Sequence, residues 1–199
     1  GRDTPAFLDA LSAAGVTDAI LLSTCDRVEV QAIHAAPLRA AEIIRNAFAE
    51  HAATAAGELD AETYVFEDER AIEQIFCVAA SLDSQMIGEP QVLGQVKAGH
   101  RIAREAGMVG SELEALMQAA YGAAKRVRTQ TTIGERPVSI AAAAVGLARD
   151  VHGDLSRAGA LLIGGGDMGH LVFEHLQAAG LRNLTVTHPL ESRAGGLAR

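Results

Sequence analysis

The feature that most restricts the fold of this chain lies towards its C-terminal end. Gly159-Ala160-Leu161-Leu162-Ile163 reads as a buried-type strand, and Gly164-Gly165-Gly166-Asp167-Met168-Gly169 follows it directly. A helical pattern through Leu171, Val172 and Leu176 comes next, Gly180 closes it, and Leu184-Thr185-Val186-Thr187 reads as a second strand. Gly-x-Gly-x-x-Gly between a strand and a helix begins a dinucleotide-binding βαβ unit. Glycine permits the tight turn and lets a pyrophosphate approach the amides at the helix N-terminus. Gly164, Gly165, Gly166, Asp167, Met168 and Gly169 are therefore candidate cofactor-binding residues. An acid after Val186 would hydrogen-bond the ribose 2′-hydroxyl of NAD; His188-Pro189-Leu190 stands there instead, which leans toward NADP.

A second run carries a nucleophile. An apolar strand pattern, Ala19 to Leu22, runs into Ser23-Thr24-Cys25-Asp26-Arg27, and another, Val28 to Ile33, runs out. A thiol is thus presented at a bend between two strands with a cation two residues away. Only the thiolate attacks carbonyls, and a neighbouring guanidinium favours that form, whereas Asp26 beside it disfavours it. The alternative is that a lone Cys is a small buried hydrophobe. Alternation in Val28-Glu29-Val30-Gln31-Ala32-Ile33 fits a half-buried strand with Glu29 and Gln31 on the polar face.

Bulk numbers bound the partners. With 199 residues and 49% hydrophobic content, the chain suits one large domain or two small ones. A formal net charge of −8 opposes non-specific nucleic-acid binding, which relies on phosphate neutralisation, but leaves room for a specific RNA partner on a local basic patch. Two cysteines, Cys25 and Cys77, without metal-type spacing suggest a reducing compartment. No long apolar run or signal-peptide layout is present, so a soluble cytoplasmic protein away from membranes is expected.

The rest reads mainly as helices. Thr4-Pro5 starts one with Phe7, Leu8 and Leu11 on its apolar face and Gly15 at its end. Another spans about Leu38 to Ala56, with Ile43, Ile44, Ala47 and Phe48 as its stripe; His34 and His51 read as surface residues. Thr63-Tyr64-Val65-Phe66 is expected as a short strand, and Asp68 as the cap of a helix through Ile72, Ile75, Phe76 and Ala79 at core spacing. Cys77 within it reads as packing. Gly88 and Pro90 break the chain before a helix through Val92, Val96 and Ile102 to Gly107, on which Gln91 and Gln95 share a face. Ser111-Glu112-Leu113-Glu114 has the form of a capping box opening a helix through Leu116, Met117, Ala120 and Ala124. Its last turns hold Lys125, Arg126 and Arg128, either a favourable charge at a helix C-terminus or a patch that faces an RNA partner. Ser139 to Val151 is a further helix.

Taken together, Ser-Thr-Cys-Asp-Arg, the run Ser81-Leu82-Asp83-Ser84-Gln85-Met86-Ile87-Gly88-Glu89-Pro90-Gln91-Val92-Leu93-Gly94-Gln95-Val96-Lys97, and Gly134-Glu135-Arg136-Pro137-Val138-Ser139 closely resemble glutamyl-tRNA reductase, in the family's order and over essentially the whole chain. The resemblance implies an α/β protein. An N-terminal α+β catalytic domain (1–132) would be joined by a linker helix (133–157) to a partial Rossmann-type NADP-binding domain (158–199). It implies an NADPH-dependent oxidoreductase of tetrapyrrole (porphyrin) biosynthesis. Glutamyl-tRNA is reduced to glutamate-1-semialdehyde through a Cys thioester. Carried over by motif, Cys25 is the nucleophile; Thr24, Asp26, Arg27, Ser84, Glu89, Pro90, Gln91 and Gln95 line the glutamyl pocket. Arg27 is the natural partner of the substrate's side-chain carboxylate. A homodimer formed through a C-terminal region absent here and an encounter with glutamate-1-semialdehyde aminomutase are implied likewise.

The family begins with a strand and a His-Lys/Arg-x-Ala-Pro segment not found here and continues beyond Arg199, so a fragment or a chain with missing ends is expected. Four positions depart from its pattern: Asp26 replaces Asn, Gln74 replaces a His ten residues before the matched Ser84, Ser81 replaces Gly and Cys77 replaces Arg. Gln carries no proton at neutral pH, so any acid–base or orienting role of that His is lost or moved. The alternative reading is a catalytically weakened paralogue acting as a tRNA- or protein-binding module.

Overall fold

The structure is a computed structural model, described for residues 4–24, 27–84, 86–134, 139–164 and 166–188. The chain divides into two compact units, 1–137 and 138–199.

In the first unit, α1 (Thr4–Ala13) buries Phe7, Leu8 and Leu11. It leads into an antiparallel hairpin, β1 (Ala19–Ser23) and β2 (Val28–Ala32), with Ile20 opposite Gln31 and Leu22 opposite Glu29. Helix α2 (Pro37–Ala52) packs on α1 and presents Ile43, Ile44, Ala47 and Phe48 to the core. Helices α3 (Asp68–Ala79), α4 (Pro90–Glu105) and α5 (Ser111–Gln130) complete the unit; α4 lies along β1, and α3 packs on both α4 and α5. Leu8, Leu11, Val16, Ile20, Val78, Val96, Leu113 and Met117 form its centre. Each large side chain removed from water there contributes about 1.5–3 kcal/mol.

A polar cluster around a buried histidine ties α4 to α5. His100, 3% exposed, places Nδ1 2.9 Å from the Tyr121 hydroxyl and Nε2 3.1 Å from Glu114 Oε2. Arg104 and Gln118 also donate to that carboxylate. Burial, then the Glu114 charge, pushes the Tyr121 phenol up to about 12.

In the second unit, Ser139 caps α6 (Ile140–His152) by accepting from the Ala142 N–H at 3.1 Å. Strand β3 (Gly159–Ile163) pairs in parallel with β4 (Asn183–Thr187) across the crossover helix α7 (Asp167–Ala178). Leu162 stands opposite Val186 in one sheet. This β-α-β succession is a Rossmann-type start, and the chain as a whole is mixed α/β. A small core of Val145, Leu155 and Leu181 lies under it.

Several local expectations fail. Thr63 to Phe66 forms no strand and pairs with neither of the two described sheets, β1–β2 and β3–β4. Its aromatics instead pair with each other, Tyr64 to Phe66 at 4.9 Å, with Arg70 above Phe66 at 4.7 Å. Asp68 does not cap α3; Glu67 holds the cap position without a side-chain bond, and Asp68 sits at φ 52. Ile72 is 46% exposed, at the end of a stripe that is buried only from Ile75 onwards. Ser111 is the first helical residue of α5 rather than its cap; Gly110 holds the cap position and donates its N–H to Asp18 Oδ1 at 2.9 Å. On β2 the polar side is the covered one: Gln31 is 7% exposed and Val28 54%. Strand β3 is not buried on both faces, since Leu161 and Ile163 stand exposed.

Candidate active site

The hairpin that carries the thiol narrows at Thr24 and Arg27. The Thr24 N–H donates to the Arg27 carbonyl at 2.9 Å, and the Arg27 N–H donates back to the Thr24 hydroxyl oxygen at 3.2 Å. Cys25 and Asp26, the residues between them, lie outside the described residues, as do Gln85 and Gly165 and the side chains of Pro90 and Asp167. Arg27 Nη1 donates to Asp83 Oδ2 at 2.5 Å and to Glu29 Oε1 at 3.3 Å. Asp83 also accepts from Gln74 Nε2 at 2.5 Å. The Arg27 hydrogen bond, then the one from Gln74, holds the Asp83 carboxyl below the usual carboxylate range, against a smaller opposing effect of burial. The first motif run and the second thus meet through residues 56 apart in sequence.

The second run is fixed by backbone and by α5. Helix α3 ends with the Ser81 N–H on the Val78 carbonyl and the Leu82 N–H on the Cys77 carbonyl, a closure that places one residue in the left-handed region. That residue is Ser81, at φ 58 and fully buried, where the resembled family has Gly. A Cβ there costs about 1–2 kcal/mol, and the Ser81 hydroxyl offsets part of it by donating to the Glu89 carbonyl at 2.8 Å. Gly88, at φ 84, returns its N–H to the Ser81 carbonyl at 2.8 Å. A Cβ on Gly88 would stand 2.5 Å from the Ile133 carbonyl oxygen, so only glycine fits. Arg128 Nη2 reaches the Glu89 carbonyl at 2.9 Å. Its Nε is buried and has no hydrogen-bond partner among the described residues, and the same is true of Gln31 Oε1.

The remaining expected pocket residues occupy varied places. Ser84 donates its hydroxyl to the Met86 carbonyl at 2.6 Å, Glu89 is 5% exposed, and Gln91 and Gln95 are half-buried on α4. Lys125 and Arg126 are exposed, whereas Arg128 is drawn into the Glu89 turn. Sequence reading missed Asp83, whose position inside the second motif was its only signal. Cys77 is a half-buried thiol pushed up by burial, then by Glu73 and Asp83, and so is a poor nucleophile at neutral pH.

In the second unit, Gly164 turns at φ 114 and donates its N–H to the Thr187 carbonyl at 2.8 Å. A Cβ on Gly169 would stand 2.7 Å from the Gly164 carbonyl oxygen, so helix and strand approach as the third glycine of the fingerprint allows. A Cβ on Gly166 would meet nothing within 4 Å, leaving open space beside the N-terminus of α7, where Met168 is half-buried. The described part of the cradle fits a dinucleotide pyrophosphate. His188 follows β4; Pro189 and Leu190 lie outside the described residues.

Comparison with known proteins decides the family. Residues 2–131 match the family described as Glutamyl-tRNAGlu reductase, N-terminal domain. The chain belongs to the glutamyl-tRNA reductase family. Residues 146–199 match the Shikimate / quinate 5-dehydrogenase family. The glutamyl-tRNA reductase of Rhodospirillum rubrum is 48% identical over 198 residues, covering 97% of this chain and 45% of the relative. That of Pseudomonas fluorescens is 44% identical over 183 residues, covering 91% and 42%. A solved glutamyl-tRNA reductase from Methanopyrus kandleri superposes with a TM-score of 0.58 at 32% identity, covering 98% of this chain and 46% of that one. The chain thus spans about half the length of the curated relatives it matches. No described helix is long and apolar enough to cross a membrane.

Proposed function

We propose that this chain carries the thiol-bearing and nucleotide-binding parts of an NADPH-dependent glutamyl-tRNA reductase. The observation that carries the reading is the 2.5 Å pair between Arg27 and Asp83, which joins the two motif runs of the family at one place. The Cys25 thiolate attacks the ester carbonyl carbon of glutamyl-tRNA; a C–S bond forms, the C–O bond breaks, and the tRNA oxygen leaves as its hydroxyl, taking from water the proton that the thiol had given up. The thioester keeps the small glutamyl group after the tRNA departs and accepts hydride more readily than an oxygen ester. NADPH, which residues 164–169 would hold, would supply the hydride that takes the thioester to glutamate-1-semialdehyde, leaving Cys25 as the thiolate.

Thr24 closes the hairpin that presents the thiol. Arg27 binds the substrate's side-chain carboxylate, because guanidinium pairs with such groups through charge-assisted bonds. Asp26, Ser84, Glu89, Pro90, Gln91 and Gln95 complete the pocket, and residues 164–169 hold the nucleotide. The same reading extends to a cytoplasmic homodimer and to glutamate-1-semialdehyde aminomutase as the consumer of the aldehyde.

A second reading, a tRNA- or protein-binding module of weakened activity, draws on Gln74 and on the hold that two carboxylates already have on Arg27. Full-length protein given glutamyl-tRNA and NADPH separates the two. The reductase reading predicts free tRNA and glutamate-1-semialdehyde, both lost in Cys25→Ser. Retained tRNA binding without aldehyde would favour the module.

A further inference from the structure

Arg27 is the centre of a polar chain whose two ends are glutamines. Its Nη1 is shared between Asp83 Oδ2 at 2.5 Å and Glu29 Oε1 at 3.3 Å. Each carboxylate is in turn held by an amide: Gln74 Nε2 donates to Asp83 Oδ2 at 2.5 Å, and Gln31 Nε2 donates to Glu29 Oε2 at 3.5 Å. The two carboxylates differ in footing. Glu29 is on the hairpin with Arg27 and moves with it. Asp83 reaches across from the segment after α3, which is locked by the Leu82–Cys77 and Gly88–Ser81 backbone bonds and by the Ser81 hydroxyl on Glu89.

We propose that Asp83, steadied by Gln74, is the positioning residue for Arg27 and fixes how its guanidinium meets the side-chain carboxylate of the substrate. The proposal rests on the function proposed above. An arginine side chain loses rotamer freedom when it grips a ligand, and a guanidinium already fixed to a stiff segment loses less of it on binding. Gln74 then has a defined task. It stands where the resembled family carries His, and it keeps what the two side chains share, an N–H donor, while giving up the titrating proton. Here that donor is spent on Asp83 rather than on proton transfer.

The test uses the full-length protein with glutamyl-tRNA and with tRNA mischarged with glutamine, whose side chain ends in a neutral amide. Asp83→Ala raises KM for glutamyl-tRNA by about tenfold or more, while kcat changes by less than about threefold. It also narrows the preference for the glutamyl over the glutaminyl ester, which a merely structural role would not do. Gln74→Ala moves both quantities the same way by less, and Gln74→His, which retains an N–H donor, recovers most of that loss. Asp83→Asn keeps the volume and serves if the alanine variant does not fold. A loss confined to kcat, or an unchanged preference between the two esters, overturns the proposal.

Wild-type turnover reports separately on the proposed function. If it is absent, 15N-arginine NMR still decides the positioning role. Slowly exchanging Arg27 guanidinium protons in the wild type that become fast in Asp83→Asn support it, and equal exchange in both refutes it.

Discussion

The two strand pairs of this molecule have the same length and similar apolar sequences, yet they are buried to opposite degrees. In β1–β2, Ile20 and Leu22 are 0% and 1% exposed; in β3–β4, Leu161 and Ile163 are 62% and 78% exposed. The antiparallel pair turns back within four residues through the Thr24–Arg27 bond, and both α1 and α4 pack on β1. The parallel pair needs a crossover, and α7 lies against β3 while Leu161 and Ile163, on the other face, stay open. The hairpin is therefore held by two helices on its covered face, whereas among the described residues the parallel pair is held from one face only. Apolar strand composition states that a residue can be buried, not that something covers it.

That contrast is sharpened first by truncation. Leu22→Ala should cost about 3 kcal/mol of stability in urea unfolding of the first unit's transition, and Ile163→Ala should stay within about 0.5 kcal/mol because a largely exposed side chain leaves no cavity. Comparable losses at the two sites would break the comparison. Gly88→Ala comes next, at about 2 kcal/mol, because a left-handed backbone and the Ile133 carbonyl both oppose a Cβ there. The same denaturation experiment reads it, and a neutral result would show that the turn yields.

Two smaller effects follow pH. The Tyr121 phenol is raised from an ordinary 10.0 to about 12, so the stability it brings is complete below about pH 10 and is lost as pH rises toward 12. Tyr121→Phe should flatten that alkaline decline in thermal melts. Asp83 is shifted the other way, so its contribution is present above the ordinary carboxylate value of 3.8 and is lost only as pH falls below it. Its side chain is 47% exposed, and solvent screening keeps the effect small. Asp83→Asn should therefore lower stability slightly at pH 6, and the difference from the wild type should shrink as pH falls below 3.8; a difference that grows toward acid would contradict this.

Helix and strand positions were legible in the sequence where a period of 3.6 or 2 was backed by turn residues. Helix α1, the hairpin strands and the β3-α7-β4 succession lie close to where the pattern put them. What stayed hidden depends on residues far apart in the chain. Asp18, 92 residues before Gly110, accepts the N–H of the residue at the cap of α5. Arg128 is drawn inward by the Glu89 carbonyl, although its charge and helix-end position suggested solvent. The polar face of β2 is covered because Glu29 and Gln31 join the Arg27 network, a pairing that alternation cannot display. At the candidate site, motif resemblance supplied Arg27 but not its partner: only geometry brings Asp83 and Gln74 to it.

The central claim is that Cys25 takes the glutamyl group, and one measurement addresses it directly. Full-length protein is mixed with glutamyl-tRNA labelled in the amino acid, without NADPH, and the labelled peptide is identified by mass spectrometry. The account predicts label on the peptide containing Cys25, none on that containing Cys77, and its discharge as aldehyde when NADPH is added. Label that stays on the tRNA, or that appears on Cys77, would contradict it.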